Sequence, residues 1–261
     1  MRLIASLLLL SGTGFAATLP EPSQQQIDDI IAKFAAREAE FSKARGNYTY
    51  RQTARVMSLD EGGAITGKWE EVTDIVFSPE GQRTERVAYA PMSTLTAFQL
   101  DPGDIQDLRS VQPFVLTTNE LSKYYVRYLG REQIDEIGTY AFAVKPKQME
   151  ANQRYFVGVV WVDDRDFHIV KSYGRGEGKK RSEDNQYPKF ETYREQIDGK
   201  YWFPTYTIAN STLHFKDQDQ RMRMTVRYDD YKQFKADTVI KYDIDEPPKT
   251  ETPQIPTPPK K

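Results

Sequence analysis

One stretch of the sequence, residues 221–228, reads RMRMTVRY and alternates strictly between polar and apolar side chains. The apolar positions hold two methionines, a valine and a tyrosine, and the polar positions hold three arginines and a threonine. Successive side chains of a β-strand point to opposite faces of a sheet. The alternation therefore predicts a strand with one buried face and one basic, solvated face, as in an antiparallel sheet.

Strand-like runs extend from Tyr48 towards this stretch, with a turn signal about every ten residues. The clearest hairpin is Asp198-Gly199, between the runs 190–197 and 200–208. Such short connections join antiparallel neighbours, because parallel strands need a longer crossover. Roughly ten strands are expected, and a sheet of that size tends to curl or close. The fold class is therefore predicted to be α+β, and mainly antiparallel β.

An amphipathic helix is predicted before the first strand. Ser23 and Gln26 have the spacing of a capping box, and Gly46 is placed to end the helix. Between them an apolar stripe recurs at helical spacing, and Glu38 interrupts it. The stripe must be buried against something, and the sheet that follows is the available surface. Its members are Ile27, Ile30, Ile31, Phe34, Ala35 and Phe41.

The segment from Pro91 to Ser122 breaks the strand pattern. It is rich in apolar residues without alternating, and residues 101–104 (DPGD) and 117–118 (TT) are start signals for short helices, the first at Ile105. A long apolar connection cannot stay in water, so it is predicted to be a helical insert that covers the concave face of the curved sheet. The predicted lid residues are Phe98, Leu100, Phe114 and Leu116.

The two ends of the chain are predicted to lie outside the folded domain. Residues 1–16 show a positive start, an apolar run and a small-x-small end, which is the pattern of a secretory signal peptide. No cysteine follows, so a lipid anchor is not expected. Residues 241–261 are rich in proline, lysine and threonine and are predicted to be a disordered tail. A single domain, 17–240, remains, and its predicted location is the periplasm.

The composition excludes several classes of chemistry. With 36 basic and 38 acidic residues the formal charge is −2, which leaves no basic excess for nucleic acid. The chain has no cysteine, which rules out thiolate, disulfide and iron–sulfur chemistry. The two histidines, His168 and His214, lie in strand-like runs with no Gly-x-Ser-x-Gly motif nearby. We therefore expect no enzyme and no cofactor.

Two further motifs are interpreted as ordinary turns. Residues 174–180 (GRGEGKK) fail the spacing of a phosphate-binding loop and are predicted to be a basic hairpin loop. Residues 163–166 (DDRD) could ligate calcium, but they lack the repeating oxygen ligands of a calcium loop. A solvated turn is the preferred interpretation, and no metal site is expected.

Three segments in the second half of the chain carry a resemblance to a known family. Residues 128–132 (YLGRE) lead into a hairpin, 159–163 (VVWVD) end a strand, and 199–204 (GKYWFP) form a hairpin with a late proline. In this order they resemble the outer-membrane lipoprotein-sorting family, the LolA-like periplasmic carriers and their relatives. The resemblance implies a strongly curved half-barrel sheet, with the N-terminal helix and the helical insert on its concave face around an apolar cavity.

The function implied by this resemblance is that of an exported carrier. It would bind acyl chains of lipoproteins or other lipids and deliver them toward the outer membrane, as a monomer working with membrane-bound donor and receiver proteins. Two alternatives remain open: a lipid-sensing or scaffold module of the cell envelope, and a structural periplasmic protein whose cavity is filled by its own side chains. The residues predicted to line the cavity are Ile31, Phe34, Phe142, Met222, Met224 and Tyr228.

Overall fold

A computed structural model describes residues 20–78, 82–110, 116–150, 155–178, 188–216 and 218–234. The predicted signal peptide, 1–16, and the predicted tail, 241–261, lie outside these described residues. Phe114, one of the predicted lid residues, also lies outside them. In the described part of the chain the structure has three helices and ten strands.

The first helix, α1 (Gln24–Arg45), has the bounds that its caps predict. The Ser23 hydroxyl accepts a hydrogen bond from the Gln26 backbone N–H, and the Gln26 side chain accepts one from the Ser23 N–H at 2.8 Å. The helix ends at Gly46, whose N–H bonds back to the Ala44 carbonyl. The capping box and the terminal glycine therefore fix both ends of α1.

The predicted insert contains two short helices, α2 (Pro102–Ser110) and α3 (Thr118–Leu121). Helix α2 begins three residues before the predicted start at Ile105. Proline needs no backbone partner in the first turn, and Asp101 and Asp104 each accept the other's backbone N–H, at 2.8 and 2.9 Å. The reciprocal pair caps the helix from Asp101 onward.

All ten strands belong to one antiparallel sheet with the order β3-β2-β1-β10-β9-β8-β7-β6-β5-β4. The predicted hairpin at Asp198-Gly199 is confirmed, and both residues have positive φ. Its loop has three residues rather than the predicted two, because Ile197 pairs with Tyr201. The sheet does not close into a barrel, because β3 and β4 stay at opposite edges. The strands are β1 (Tyr48–Leu59), β2 (Ile65–Phe77), β3 (Arg83–Tyr89), β4 (Tyr124–Ile134), β5 (Ile137–Pro146), β6 (Tyr155–Asp163), β7 (Ile169–Glu177), β8 (Phe190–Ile197), β9 (Tyr201–His214) and β10 (Asp219–Gln233).

The alternation predicted for residues 221–228 is confirmed in β10. Its Met222, Met224, Val226 and Tyr228 side chains are buried, while its arginines are exposed. We call the buried side of the sheet the inner face and the opposite side the outer face. One core cluster on the inner face joins α1 to strands near both edges of the sheet. The sheet therefore curves around α1 as a half-barrel, which confirms the predicted α+β class.

A close contact between two glycines lies between β6 and β7 of this curved sheet. Gly158 of β6 is paired with Gly174 of β7. A Cβ atom on Gly174 would lie 2.3 Å from the Val157 carbonyl oxygen and 2.7 Å from the ring of Phe156. The neighbouring backbone and the Phe156 ring thus occupy the space of the two missing side chains, as at tight bends in other sheets.

We predict that Gly174→Ala destabilises the protein by about 1–3 kcal/mol, because the new methyl group must displace backbone atoms. Urea unfolding followed by circular dichroism measures the effect. Gly62→Ala is the matched control, since its Cβ would meet only an Asp60 side-chain oxygen at 3.4 Å, and it should change stability by less than about 0.5 kcal/mol. Equal stability of the two variants would contradict the packing described here.

Candidate functional site

Helix α1 lies on the inner face and fills part of its curvature. Phe34 is fully buried, and its ring centroid is 5.3 Å from that of Phe142 in β5. About two turns further along the helix, Phe41 packs edge-on against Phe203 of β9 at 5.1 Å. Helix α1 therefore contacts β9 in the middle of the sheet and β5 next to the edge strand β4.

The described part of the connection between β3 and β4 contributes side chains to the core on the inner face. We call its described residues, 90–110 and 116–123, the strap. Because the strap starts at one edge strand and ends at the other, it has to cross the face of the sheet. Its Leu108 and Leu116 are buried in the same core cluster as Phe34, and Phe98 and Leu100 pack against that cluster half-buried.

Hydrogen bonds join the described part of the strap to the rest of the chain at several points. The Gln52 side-chain amide, buried in β1, donates to the Leu108 carbonyl at 3.0 Å. At the edge, the Thr94 N–H donates to the Lys68 carbonyl at 2.9 Å, and the Lys68 N–H donates to the Thr94 hydroxyl at 2.9 Å. A weaker bond runs from Gln218 to the Ala97 carbonyl at 3.4 Å. Burial of apolar side chains adds to this attachment.

The predicted cavity residues lie together in the structure. Phe34, Phe142, Met222, Met224 and Tyr228 are all buried members of the core cluster on the inner face, and Ile31 packs against it half-buried. Their neighbours are other protein side chains, so whether they line a ligand cavity stays a prediction. The same holds for the lid role of Phe98, Leu100 and Leu116.

Sequence reasoning missed an ion pair in the interior. The Arg194 guanidinium of β8 donates to the Glu38 carboxylate of α1 at 2.8 Å, and the two side chains are 3% and 0% exposed. The guanidinium also lies 5.0 Å above the Phe41 ring. Burial raises the pKa of Glu38 above its ordinary value, while Arg194 and the Ile169 backbone N–H act in the opposite direction.

Two sequence signals could have indicated this pair. Glu38 interrupts the apolar stripe of the helix, and Arg194 shares the period-two face of its strand with the buried Phe190. Opposite charges on two faces that must both be buried predict a contact, because an unpaired charge in the interior is costly. The pair fastens the second half of α1 to the sheet at one defined position.

The two histidines occupy different environments. His168 is buried in the turn before β7, and this burial lowers the pKa of its imidazole. His214 ends β9 on the surface, with its Nδ1 atom 2.8 Å from an Asp219 carboxylate oxygen. The expectation that the chain is not an enzyme stays a prediction.

The acidic residues 163–166, at the end of β6, form a hydrogen-bonded turn, as predicted. One Asp163 carboxylate oxygen accepts the backbone N–H groups of Arg165 and Asp166, both at 2.7 Å. Within the described residues, no group of three or more His, Cys, Asp or Glu side chains is placed to hold a metal ion. In the same ranges, no helix combines the length and the apolar character needed to cross a membrane.

No protein-family model matches the chain, and no curated protein matches it. Solved structures do match. A DUF1329 family protein from Desulfovibrio piger is 13% identical, with a TM-score of 0.38, over 77% of this chain and 90% of that one. A LolA superfamily protein from Nitrosomonas europaea is 14% identical, with a TM-score of 0.34, over 77% and 94%.

A third similar structure is a putative outer membrane lipoprotein-sorting protein domain from Vibrio parahaemolyticus, 13% identical with a TM-score of 0.35, over 78% of this chain and 93% of that one. Two of the three therefore carry the family name that the sequence resembles. The fold itself is defined by its strand order and register.

We predict that removing one partner of the Glu38–Arg194 pair costs far more than removing both. Glu38→Leu or Arg194→Met alone should each destabilise the protein by about 3–5 kcal/mol, because an unpaired charge remains buried. The double variant should be less destabilised than either single variant, because it leaves no unpaired charge in the interior. Urea unfolding of the four proteins measures this, and additive effects would argue against the pair.

Gly67→Ala tests the contact between the strap and β2. A Cβ atom on Gly67 would lie 2.5 Å from the Thr94 carbonyl oxygen, so the strap must move away from the sheet edge. We expect faster hydrogen exchange at the backbone amides of Lys68 and Thr94, with little change in β8 and β9. Gly62→Ala again serves as the control, and unchanged exchange at both amides would contradict the contact.

Proposed function

We propose that this protein is an exported carrier, which binds the acyl chains of lipoproteins or other lipids between the inner face of the sheet and the strap. The acyl-bound carrier would cross the periplasm and release its ligand toward the outer membrane. The periplasmic location rests on the signal-peptide pattern of residues 1–16. The family names of the similar solved structures described above agree with the proposal.

One observation supports the proposal most strongly: an apolar cover is laid across an apolar curved face. Leu108 and Leu116 of the strap are buried against that face, and the strap is joined covalently only at the two sheet edges. Moving the strap outward would open a surface lined by Met222 and Met224 of β10 without breaking any pairing within the sheet. Methionine side chains adapt to ligands of varied shape.

The free energy of hydrating an acyl chain favours its binding beneath a movable apolar strap. Each methylene group exposed to water costs about 0.8 kcal/mol, so a sixteen-carbon chain costs about 12 kcal/mol. An acyl chain that replaces the strap on the inner face recovers much of this cost. Because the strap must then leave its own apolar contacts, bound lipid and closed strap compete, and a receiver protein could promote release by favouring closure.

A structural protein with a filled interior is the second candidate function. Phe34 and Phe142 are fully buried and in contact with each other, which is what a protein that carries no ligand would show. The two functions differ in whether the strap can leave the inner face. An experiment that controls the position of the strap therefore separates them.

The test uses a reversible tether across the bonded pair Lys68 and Thr94. The chain has no natural cysteine, so Lys68→Cys/Thr94→Cys introduces a single possible disulfide. For a fluorescent palmitate analogue, we expect the oxidised variant to bind about tenfold more weakly or worse, because the open state is depleted. Reduction with dithiothreitol should restore binding.

Each single-cysteine variant, treated with the same oxidant, is the control for chemical damage. Equal binding by the oxidised and reduced tether would show that the strap is not the cover of the site. No palmitate binding by the wild-type protein, in fluorescence and in native mass spectrometry alike, would overturn the carrier function in favour of the filled structural protein.

A further inference from the structure

The outer face of the sheet carries a band of positive charge that the carrier function does not use. The band lies on four neighbouring strands, β3, β2, β1 and β10. Its members lie on the side of the sheet opposite to Met222 and Met224. We call this the basic band; its residues are Arg51, Arg55, Lys68, Arg86, Arg223 and Arg227.

Two carboxylates lie underneath the band rather than beside it. Glu70 binds Arg55 and Lys68, each at 2.7 Å, and Asp74 binds Arg51 at 2.7 Å and Arg86 at 3.2 Å. The side chains of Glu70 and Asp74 are only 8% and 12% exposed, whereas the four cations are 42–72% exposed. The surface that faces solvent is therefore formed by the cations.

The arginines of β10 extend the band. By register, Arg227 is opposite Thr53 and Arg223 is opposite Met57, so they lie diagonally next to Arg55. Arg223 donates to the Asn210 side-chain oxygen at 2.8 Å, and Arg227 lies 6.0 Å from the Tyr206 ring centroid. Both of these partners are uncharged.

The charge of the band contrasts with that of the whole chain. Six cations and three carboxylates, Glu70, Asp74 and Asp229, which is opposite Arg51, leave three positive charges within the band, in a protein whose formal charge is −2. Further acidic residues flank the band at its ends, Asp60 and Glu61 in the hairpin after β1 and Asp230 late in β10. The concentration of cations in the middle is therefore local, and it fits an anionic partner.

We propose that the basic band docks against the anionic phospholipid headgroups of a membrane surface. The centre of a protein–protein interface is normally poor in charge and rich in aromatic residues, and here the exposed centre consists of cations. Lipid headgroups move laterally and can gather beneath fixed cations, each of which strengthens binding roughly fivefold. Tyr206, under Arg227, is a residue type favoured at the membrane–water interface.

This docking does not require the carrier function, although it would place a loaded carrier on its donor or receiver membrane. The inner face lies on the other side of the sheet from the band, so docking through the band leaves the inner face uncovered by the membrane. The two properties can therefore be measured separately on the same protein.

The experiment is co-sedimentation of the full chain with vesicles of phosphatidylglycerol and phosphatidylcholine. Replacing two cations in Arg223→Gln/Arg227→Gln should weaken binding about 30-fold, and raising the salt should weaken wild-type binding. Lys43→Gln/Lys123→Gln removes the same charge from α1 and the strap and should bind within about twofold of wild type. Arg223→Lys/Arg227→Lys, which keeps the charge, should retain binding and guards against a folding defect.

The proposal is overturned if wild type fails to bind anionic vesicles, or if the band variant and the control variant lose binding equally. Binding to polyglutamate but not to vesicles would overturn it in favour of an acidic protein partner. Binding of the palmitate analogue in solution should be unchanged in Arg223→Gln/Arg227→Gln. Vesicle binding without any palmitate binding would refute the carrier function and leave the docking surface standing.

Discussion

Hydrogen bonding between β1 and β10 is the constraint on which the rest of the structure depends. Because the first strand pairs with the last one, the sheet grows outward in both directions, and two strands consecutive in the chain, β3 and β4, end at opposite edges. Their connection has no short route, and it crosses the inner face. The curved sheet, the covered apolar interior and the exposed outer face all follow from this one pairing.

The sequence predicted local features well and distant contacts poorly. The alternation at 221–228, the capping box at Ser23 and the hairpin at Asp198 each depend on neighbouring residues, and all three were found, the hairpin with a three-residue loop. Helix α2 starts at Pro102 and not at the predicted Ile105, because the reciprocal Asp101–Asp104 bonds cap it three residues earlier. The pairing of β1 with β10 and of Glu38 with Arg194 joins residues more than 150 positions apart, and no local period encodes such a match.

The alternation of apolar and polar side chains along the strands gives the sheet an apolar inner face and a charged outer face. On the inner face, apolar side chains are held from water by α1 and the strap, and the one described ion pair there, Glu38 with Arg194, fixes the helix in place. On the outer face, Glu70 and Asp74 are placed under their cations, which lowers the pKa of both carboxyls. A strand such as β10 therefore serves an apolar interior and a charged surface at once.

The β1–β10 pairing also determines when the sheet can be completed during folding. A chain that crosses a membrane from its N-terminus presents β1 long before β10, and β1 is left with one open hydrogen-bonding edge during that interval. Closing the intervening loop is entropically costly, and folds dominated by such non-local pairs form slowly. A chain exported in this way would reach its native state only after its last strand arrives, and until then it would depend on protection from aggregation.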